Sequence, residues 1–366
     1  MSYSADDYRF MGHALQLARR GLWTTSPNPR VGCVLVQENE IVGEGWHQIA
    51  GQPHAEVHAL KMAGERAEGA TAYVTLEPCC HQGRTPPCTE ALIKAGIRRV
   101  VIPMVDPNPR VSGHGLASLQ SSGISCTVGV MESEASELNV GFVSRMTRQR
   151  PWVRIKSATS LDGRTALLNG QSQWITGPEA RQDGHRWRAR ACAIVTGIET
   201  VLADDPALTV RGLSCTRQPD RVVLDSQLRL SPQSRVLTVS GGKTRVVTTV
   251  AAPERQALLE AAGAEVIQFR PDAAGRIPLP ELLKFLGTSG YNEIHVEAGP
   301  TLNGALISQG LADELLIYLA PTLLGSVAQG AFELPVLSGL EQAPRFAVHD
   351  VRRVGPDFCF RLRPLS

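Results

Sequence analysis

His54-Ala55-Glu56 and, about twenty residues further on, Pro78-Cys79-Cys80-His81-Gln82-Gly83-Arg84-Thr85-Pro86-Pro87-Cys88 decide how the first half of this chain is read. A hydrolytic zinc site needs three protein ligands and one position left open for water. His54, Cys79 and Cys88 supply one imidazole and two thiolates. Such a site also needs a carboxylate beside the metal, but not on it, to move the proton. Glu56, two residues after His54, is placed for that task. A closed structural zinc site, with Cys80 or His81 as fourth ligand, is the competing reading. Glu56 argues against it, because a structural site has no use for a free carboxylate.

The flanking sequence places these residues on an α/β framework. Residues 4–20 read as an amphipathic helix with Tyr8, Met11, Leu15 and Ala18 on one face and a Ser4/Asp7 capping box. Strands at 31–36 and 41–45 are joined by a polar hairpin at 37–40. Helices follow at 54–64, 88–96 and 115–122, with strands at 70–76, 98–103 and 125–130. Residues 132–148 read as one polar helix running into Arg145, Arg148 and Arg150, a solvated basic end. Pro151 then favours a fresh extended start. The boundary is set at 150, giving domains 1–150 and 151–366. In the second, strands are expected at 153–158, 193–197, 221–225, 245–249, 265–269, 293–296 and 315–320. Helices are expected at 178–191, 253–262, 279–286 and 302–309. Residues 320–366 contribute strands but no motif.

Composition sets the outer limits. At 366 residues the chain is too long for one compact core. Hydrophobic residues make up 43% and charged residues 20%, and the net charge is +2. Bulk electrostatics therefore demand no nucleic-acid or membrane partner. The polar, acidic first ten residues do not resemble a signal peptide, and no stretch is apolar enough to span a bilayer, so a cytoplasmic location is expected. Eight cysteines in such a chain do not suggest a disulfide framework. Outside 79–88 they read as small buried hydrophobes.

The second half carries its own constellation. Lys156-Ser157-Ala158-Thr159-Ser160-Leu161-Asp162-Gly163-Arg164 comes first, with Asp162 beside Gly163 read as a turn residue. Ser172-Gln173-Trp174-Ile175-Thr176-Gly177 and Thr200-Val201-Leu202-Ala203-Asp204-Asp205 follow. In Glu297-Ala298-Gly299-Pro300-Thr301-Leu302-Asn303-Gly304-Ala305 a strand ends in a glycine-containing turn and a helix begins. Backbone N–H groups at such a start can hold a phosphate, with Thr301 as cap. It is not a Rossmann glycine fingerprint.

The arrangement H-x-E…P-C…C is that of zinc deaminases, although eight residues separate Cys79 from Cys88 where the usual pattern has two. The loop 80–87 reads as an insertion lining the substrate pocket. Together with Pro27-Asn28-Pro29-Arg30-Val31-Gly32-Cys33, Gly43-Glu44-Gly45-Trp46-His47, Gly51-Gln52-Pro53 and Asp106-Pro107-Asn108-Pro109-Arg110, it resembles the bifunctional riboflavin-biosynthesis deaminase/reductase (RibD) family over nearly the whole chain. The resemblance implies a cytidine-deaminase-like α/β/α domain followed by a dihydrofolate-reductase-like α/β domain. It implies one Zn2+ in the first and NADPH in the second, with small-molecule phosphoribosylaminopyrimidine substrates and a homo-oligomer. Asn28, His47 and His81 would contact the deaminase substrate. Asn28 could equally be a turn residue, and His47 or His114 structural. Ala158, Trp174, Thr200, Asp204 and Gly299–Ala305 would line the cofactor site. Ser172, Arg188, Leu208, Arg211, Ser226 and Glu297 would line the second substrate site, with Arg188 and Arg211 facing a phosphate. Lys156 or Asp204 would assist the reduction. Two rivals remain: a cytidine or tRNA-adenosine deaminase with an unrelated second domain, and a zinc-stabilised binding module.

Overall fold

The structure, a computed structural model, describes residues 3–82 and 86–365. The chain forms two compact units, Met1–Gln149 and Arg150–Ser366.

The first unit begins with α1 (Ala5–Arg19), whose capping box closes as expected: Asp7 N–H donates to Ser4 Oγ and Ser4 N–H donates to the Asp7 carboxylate. Strands β1 (Gly32–Gln37) and β2 (Glu40–Trp46) form the hairpin. Its turn residues Glu38 and Asn39 have φ of 49° and 64°, the left-handed pair that matches strand twist. There follow α2 (Ala55–Ala63), β3 (Thr71–Val74), α3 (Cys88–Lys94), β4 (Arg99–Ile102), α4 (His114–Ser121) and β5 (Ser125–Val128). The sheet order is β2-β1-β3-β4-β5. One face packs Val34, Val36 and Tyr73 against Phe10, Met11 and Ala14 of α1. The other packs Cys33, Leu35 and Val74 against Ala55, Ala59 and Leu92 of α2 and α3.

The single helix expected at 132–148 is instead two, α5 (Glu132–Leu138) and α6 (Val140–Arg148). Asn139 breaks it. Its buried amide exchanges both hydrogen bonds with the backbone of Arg30, at 2.8 and 2.9 Å, and a continuous helix would carry it out of that register. The basic run is not simply solvated either. Arg148 bonds Ser144 Oγ, and Arg150 makes a bidentate pair with Asp313 at 2.8 and 2.9 Å.

The second unit runs β6 (Trp152–Ser160), β7 (Arg164–Ala166), α7 (Pro178–Arg190), β8 (Ala193–Gly197), α8 (Ile198–Asp204), β9 (Asp220–Leu224), α9 (Arg235–Thr238), β10 (Thr244–Thr248), α10 (Pro253–Ala261), β11 (Ala264–Gln268), α11 (Leu279–Thr288), β12 (Glu293–Val296), α12 (Pro300–Ser308), β13 (Glu314–Ala320), β14 (Gln329–Gly330), β15 (Phe346–Val354) and β16 (Asp357–Pro364). Its main sheet has nine strands in the order β11-β10-β9-β8-β12-β6-β13-β16-β15, and β7 pairs with β14 separately. Strands β6 and β8 to β12 are parallel to their neighbours, β13 is parallel to β6 but antiparallel to β16, and the hairpin β15–β16 closes the far edge. Helices α11 and α12 cover one face over Val153, Val195 and Leu315. Ile198 and Val201 of α8, Val236 of α9 and Leu259 of α10 pack on the other, over Ile194, Val223 and Val246. Parallel strands carry the residues that follow them to one edge of the sheet, where open α/β sheets bind ligands. Asp162 is a turn residue, its carboxylate accepting from Ser160 Oγ and from the backbone of Leu324 and Gly325.

Candidate functional site

In the first unit two helix starts converge. His54 is the residue before α2 and Cys88 is the first residue of α3. Cys79 lies in the turn after β3. His54 Nδ1 stands 3.2 Å from Cys88 Sγ and 3.5 Å from Cys79 Sγ, and the three donor atoms all lie within 4.8 Å of one another. The Cys88 N–H donates to Cys79 Sγ at 3.4 Å. The neighbouring Cys88 side chain holds the Cys79 thiol well below its ordinary value, while Cys79 and burial push the Cys88 thiol up. Two convergent sulfurs and an imidazole nitrogen suit a borderline-soft divalent ion such as zinc. Among the described residues neither Cys80 nor His81 joins this donor group, so the donor set is three and not four.

Glu56, in the first turn of α2, is buried, and one of its carboxylate oxygens has no hydrogen-bond partner. Burial, with Cys79 alongside, raises its pKa. His47 Nδ1 donates to the Pro53 carbonyl at 3.2 Å, which leaves Nε2 to accept from Asn28 Nδ2 at 3.0 Å. The His47 ring lies edge-on to His54, with centroids 5.4 Å apart. Asn28 and His47 therefore adjoin the donor group as one unit. His81 is partly buried with Nδ1 unpartnered. Gly83, Arg84 and Thr85 of the expected pocket-lining loop lie outside the described residues.

Two residues of this region, Glu77 and Asp106, were given no role in the sequence reading. The buried Glu77 carboxylate accepts from the N–H groups of Asp106, Gly113 and Leu116, tying the segment before α4 to the turn that carries Cys79. Burial pushes the Asp106 carboxyl up to about 7. The signal was an acid beside Pro78 at the end of an apolar strand.

Close packing sets where α2 sits. A Cβ on Gly45 would lie 2.2 Å from the Ala55 carbonyl oxygen and 2.7 Å from Ala59 N. Backbone, not a pliable side chain, would have to move. Gly45→Ala is expected to cost about 1–3 kcal/mol and to weaken metal retention by displacing His54. Urea denaturation and the metal-to-protein ratio after dialysis test this. Unchanged values for both would show that α2 tolerates the shift.

In the second unit the carboxyl edge of the sheet gathers a different set. Arg188 of α7 makes a fork to Glu297, which follows β12, at 2.6 and 2.7 Å, and a third bond to the Thr209 carbonyl at 2.9 Å. The Arg188 guanidinium, expected at the substrate phosphate, is here engaged by Glu297. Glu297 opposes its own burial through Arg188, with His295 and Lys156 assisting, and its carboxyl lies well below the usual range. Lys156, on β6, sits in the same field with its ammonium 5.9 Å from the Tyr318 ring centroid. Burial lowers its pKa. Asp204 is exposed at the end of α8 and stands outside this cluster.

Other expected residues are placed as follows. Leu208 is buried in the core with φ of 47°. Arg211 is exposed, and Ser226, partly buried, follows β9. Trp174 is exposed beneath the Arg181 guanidinium, and Ser172 shares its loop. Ala158 on β6 packs beside Tyr318, and Thr200 is partly buried on α8. Gly299 precedes α12, with Pro300 and Thr301 as its first residues. Thr301 does not cap that helix; its hydroxyl donates to the Glu333 carboxylate at 2.6 Å. Leu302 and Ala305 pack on the core, and Asn303 donates to the Ala298 carbonyl. Gly304 is required by packing, since a Cβ there would meet the Glu333 carbonyl oxygen at 1.8 Å. His185 and Gln218, which hold the main chain next to Arg211, were not anticipated.

A three-donor site on an α/β/α unit, followed by a unit built on a mostly parallel sheet, is the architecture of a zinc deaminase joined to a second α/β domain. Residues 4–104 match the family model described as the cytidine and deoxycytidylate deaminase zinc-binding region, and residues 151–360 match the RibD C-terminal domain. The chain is 51% identical to the riboflavin biosynthesis protein RibD of Escherichia coli strain K12 over 98% of this chain and 99% of that one. The solved structure of Acinetobacter baumannii RibD, form 1, superposes with a TM-score of 0.92 at 44% identity, covering 99% of both chains. That of a diaminohydroxyphosphoribosylaminopyrimidine deaminase/5-amino-6-(5-phosphoribosylamino)uracil reductase from Thermotoga maritima does so with a TM-score of 0.86 at 33% identity, covering 98% of this chain and 99% of that one. The chain belongs to the RibD family of riboflavin-biosynthesis enzymes, with a deaminase domain and a reductase domain. No helix among the described residues is long and apolar enough to cross a membrane.

Proposed function

We propose that the first unit deaminates 2,5-diamino-6-hydroxy-4-(5-phosphoribosylamino)pyrimidine to 5-amino-6-(5-phosphoribosylamino)uracil, and that the second reduces its ribosyl group to ribityl with NADPH. The convergence of His54, Cys79 and Cys88 beside a buried carboxylate oxygen without a partner carries the reading. Those three residues hold one zinc ion, which when bound supplies a Lewis-acid centre that makes water nucleophilic near neutral pH. Glu56 takes one proton from the attacking water and delivers it to the ring nitrogen, then carries the second, from the newly formed hydroxyl, to the departing ammonia. Its burial keeps bulk water from competing for that proton. Asn28, His47 and His81 contact the pyrimidine.

In the second unit NADPH, when bound, supplies hydride to C1 of the opened sugar. The N–H groups at the start of α12, with Ala158, Trp174, Thr200 and Asp204, hold the cofactor. Lys156 delivers the proton that completes the reduction. Its pKa, lowered by burial, makes proton donation easier, and the Glu297 charge supports the protonated form. Arg211 receives the substrate phosphate.

Metal analysis, ammonia release and NADPH oxidation on one preparation test the proposal. Cys88→Ser is expected to lose bound metal and ammonia release together while NADPH oxidation on the deaminated substrate persists. Ammonia release that survives without metal would refute the assignment of the first site.

A further inference from the structure

Three consecutive residues after the buried Leu208 are held by side chains. The Thr209 carbonyl accepts from Arg188 Nη1 at 2.9 Å. Val210 gives its N–H to Gln218 Oε1 at 2.7 Å, and its carbonyl accepts from Gln218 Nε2 at 3.1 Å. The Arg211 N–H donates to His185 Nδ1 at 3.2 Å. Asp205 and Leu208 both take left-handed backbone conformations, with φ of 38° and 47°. Residues with a Cβ adopt these rarely, so the path through this segment needs external support. Gln218 supplies it in the manner of a paired strand, offering one acceptor and one donor to a single residue. His185 and Arg188 lie three residues apart on α7 and therefore share a face.

We infer that His185 and Gln218 are positioning residues of the reductase: they fix the path of residues 208–211 and so set where the Arg211 guanidinium meets the phosphorylated substrate. The inference rests on the reading of Arg211 as the phosphate partner. His185 suits the role because Nδ1 must stay an acceptor. Burial, with Arg188 and Arg211 alongside, pulls its pKa down to about 4, so the ring is neutral in the working range. Neither residue touches the reacting atoms, so their loss weakens substrate binding and leaves the hydride step intact. KM rises and kcat holds.

The test is steady-state kinetics of NADPH oxidation with 5-amino-6-(5-phosphoribosylamino)uracil on the full chain, with ammonia release as the internal control. His185→Leu removes the acceptor and is expected to raise KM about two- to tenfold, the net worth of one hydrogen bond at an exposed donor. His185→Asn, whose Oδ1 falls close to the place of Nδ1, restores KM. A merely structural histidine would not be rescued in this way. In combination with Arg211→Ala, His185→Leu adds nothing further, because it acts through Arg211. Gln218→Ala raises KM alone by a similar factor and gives a second reading if His185→Leu does not fold. An unchanged KM in both single variants, failure of His185→Asn to rescue, or a fall in kcat at constant KM would overturn the inference. If Arg211→Ala itself leaves KM unchanged, the phosphate reading fails and takes this inference with it. If Arg211→Ala raises KM and His185→Leu does not, this inference fails alone.

Discussion

Glu56→Gln is expected to lower ammonia release by about 10²–10⁴-fold, the range that a positioned proton carrier contributes, while bound metal and NADPH oxidation stay at wild-type levels. The substitution is nearly isosteric, and the amide cannot take up or deliver the proton in the same way. The helix start on which Glu56 sits is fixed by the close packing of Gly45 against Ala55, so no other carboxylate moves into its place. Glu56 is not part of the donor group formed by His54, Cys79 and Cys88, and metal content should therefore be indifferent to the change. A zinc-stabilised binding module would lose no function on this substitution. Turnover at the wild-type level with metal retained would remove Glu56 from the mechanism.

The second large effect concerns stability. Arg154 is fully buried and pairs with two fully buried carboxylates, Glu293 at 3.1 Å and Glu314 at 2.8 Å. Arg190 shares Glu293 and Arg361 shares Glu314, so the network links α7, β6, β12, β13 and β16. Glu314→Ala removes one of the two carboxylates that neutralise the buried Arg154, the one it shares with Arg361, and is expected to destabilise the second unit by about 3–5 kcal/mol. Breaking the exposed Arg9–Asp6 contact, at 3.8 Å, should cost at most about 1 kcal/mol. Trp187 reports on the event directly, because the guanidinium carbons of Arg154 and Arg361 lie 4.4 and 5.3 Å from its ring centroid. The measurement is urea denaturation followed by tryptophan fluorescence. A midpoint unchanged by the substitution would show that the network is energetically idle.

The same network fixes a pH dependence. Burial by itself would raise the Glu314 pKa, but Arg154 and Arg361 outweigh it and hold the carboxyl far below its ordinary value. A carboxylate depressed on folding contributes stability that is fully present above its unfolded pKa, about 4.3. That stability is lost as pH falls from there toward the folded value. Wild-type protein should therefore lose stability on acidification below that point faster than Glu314→Ala, and the gap between them should narrow. Parallel losses would place the acid sensitivity elsewhere.

What could be read in advance was local. Ser4 and Asp7 announce the start of α1 because a cap needs only a hydroxyl and a carboxylate three residues apart. The hairpin at Glu38 and Asn39 follows from two short strands and a polar turn, and most helices and strands follow from apolar periodicity. The donor group was legible for a related reason. Metal ligation restricts residue types so narrowly that His54, Cys79 and Cys88 stand out even with their separation unknown. The break at Asn139 was not legible, since nothing in its own helix shows that the backbone of Arg30 will meet its amide. Nor was the left-handed backbone of the buried Leu208 legible, since its residue type does not suggest it.

The amino-acid order by itself determined the alternation of strands and helices, the family, and which side chains could grip a metal, because these depend on neighbours a few bonds or one helical turn apart. Only the tertiary structure decided that Arg188 closes on Glu297, 109 residues away, that Thr301 donates to Glu333, and that Glu77 ties the 106–116 segment to the Cys79 turn. A guanidinium, a hydroxyl or a carboxylate has many acceptable partners. Which one it meets is set by where distant strands come to lie in the sheet.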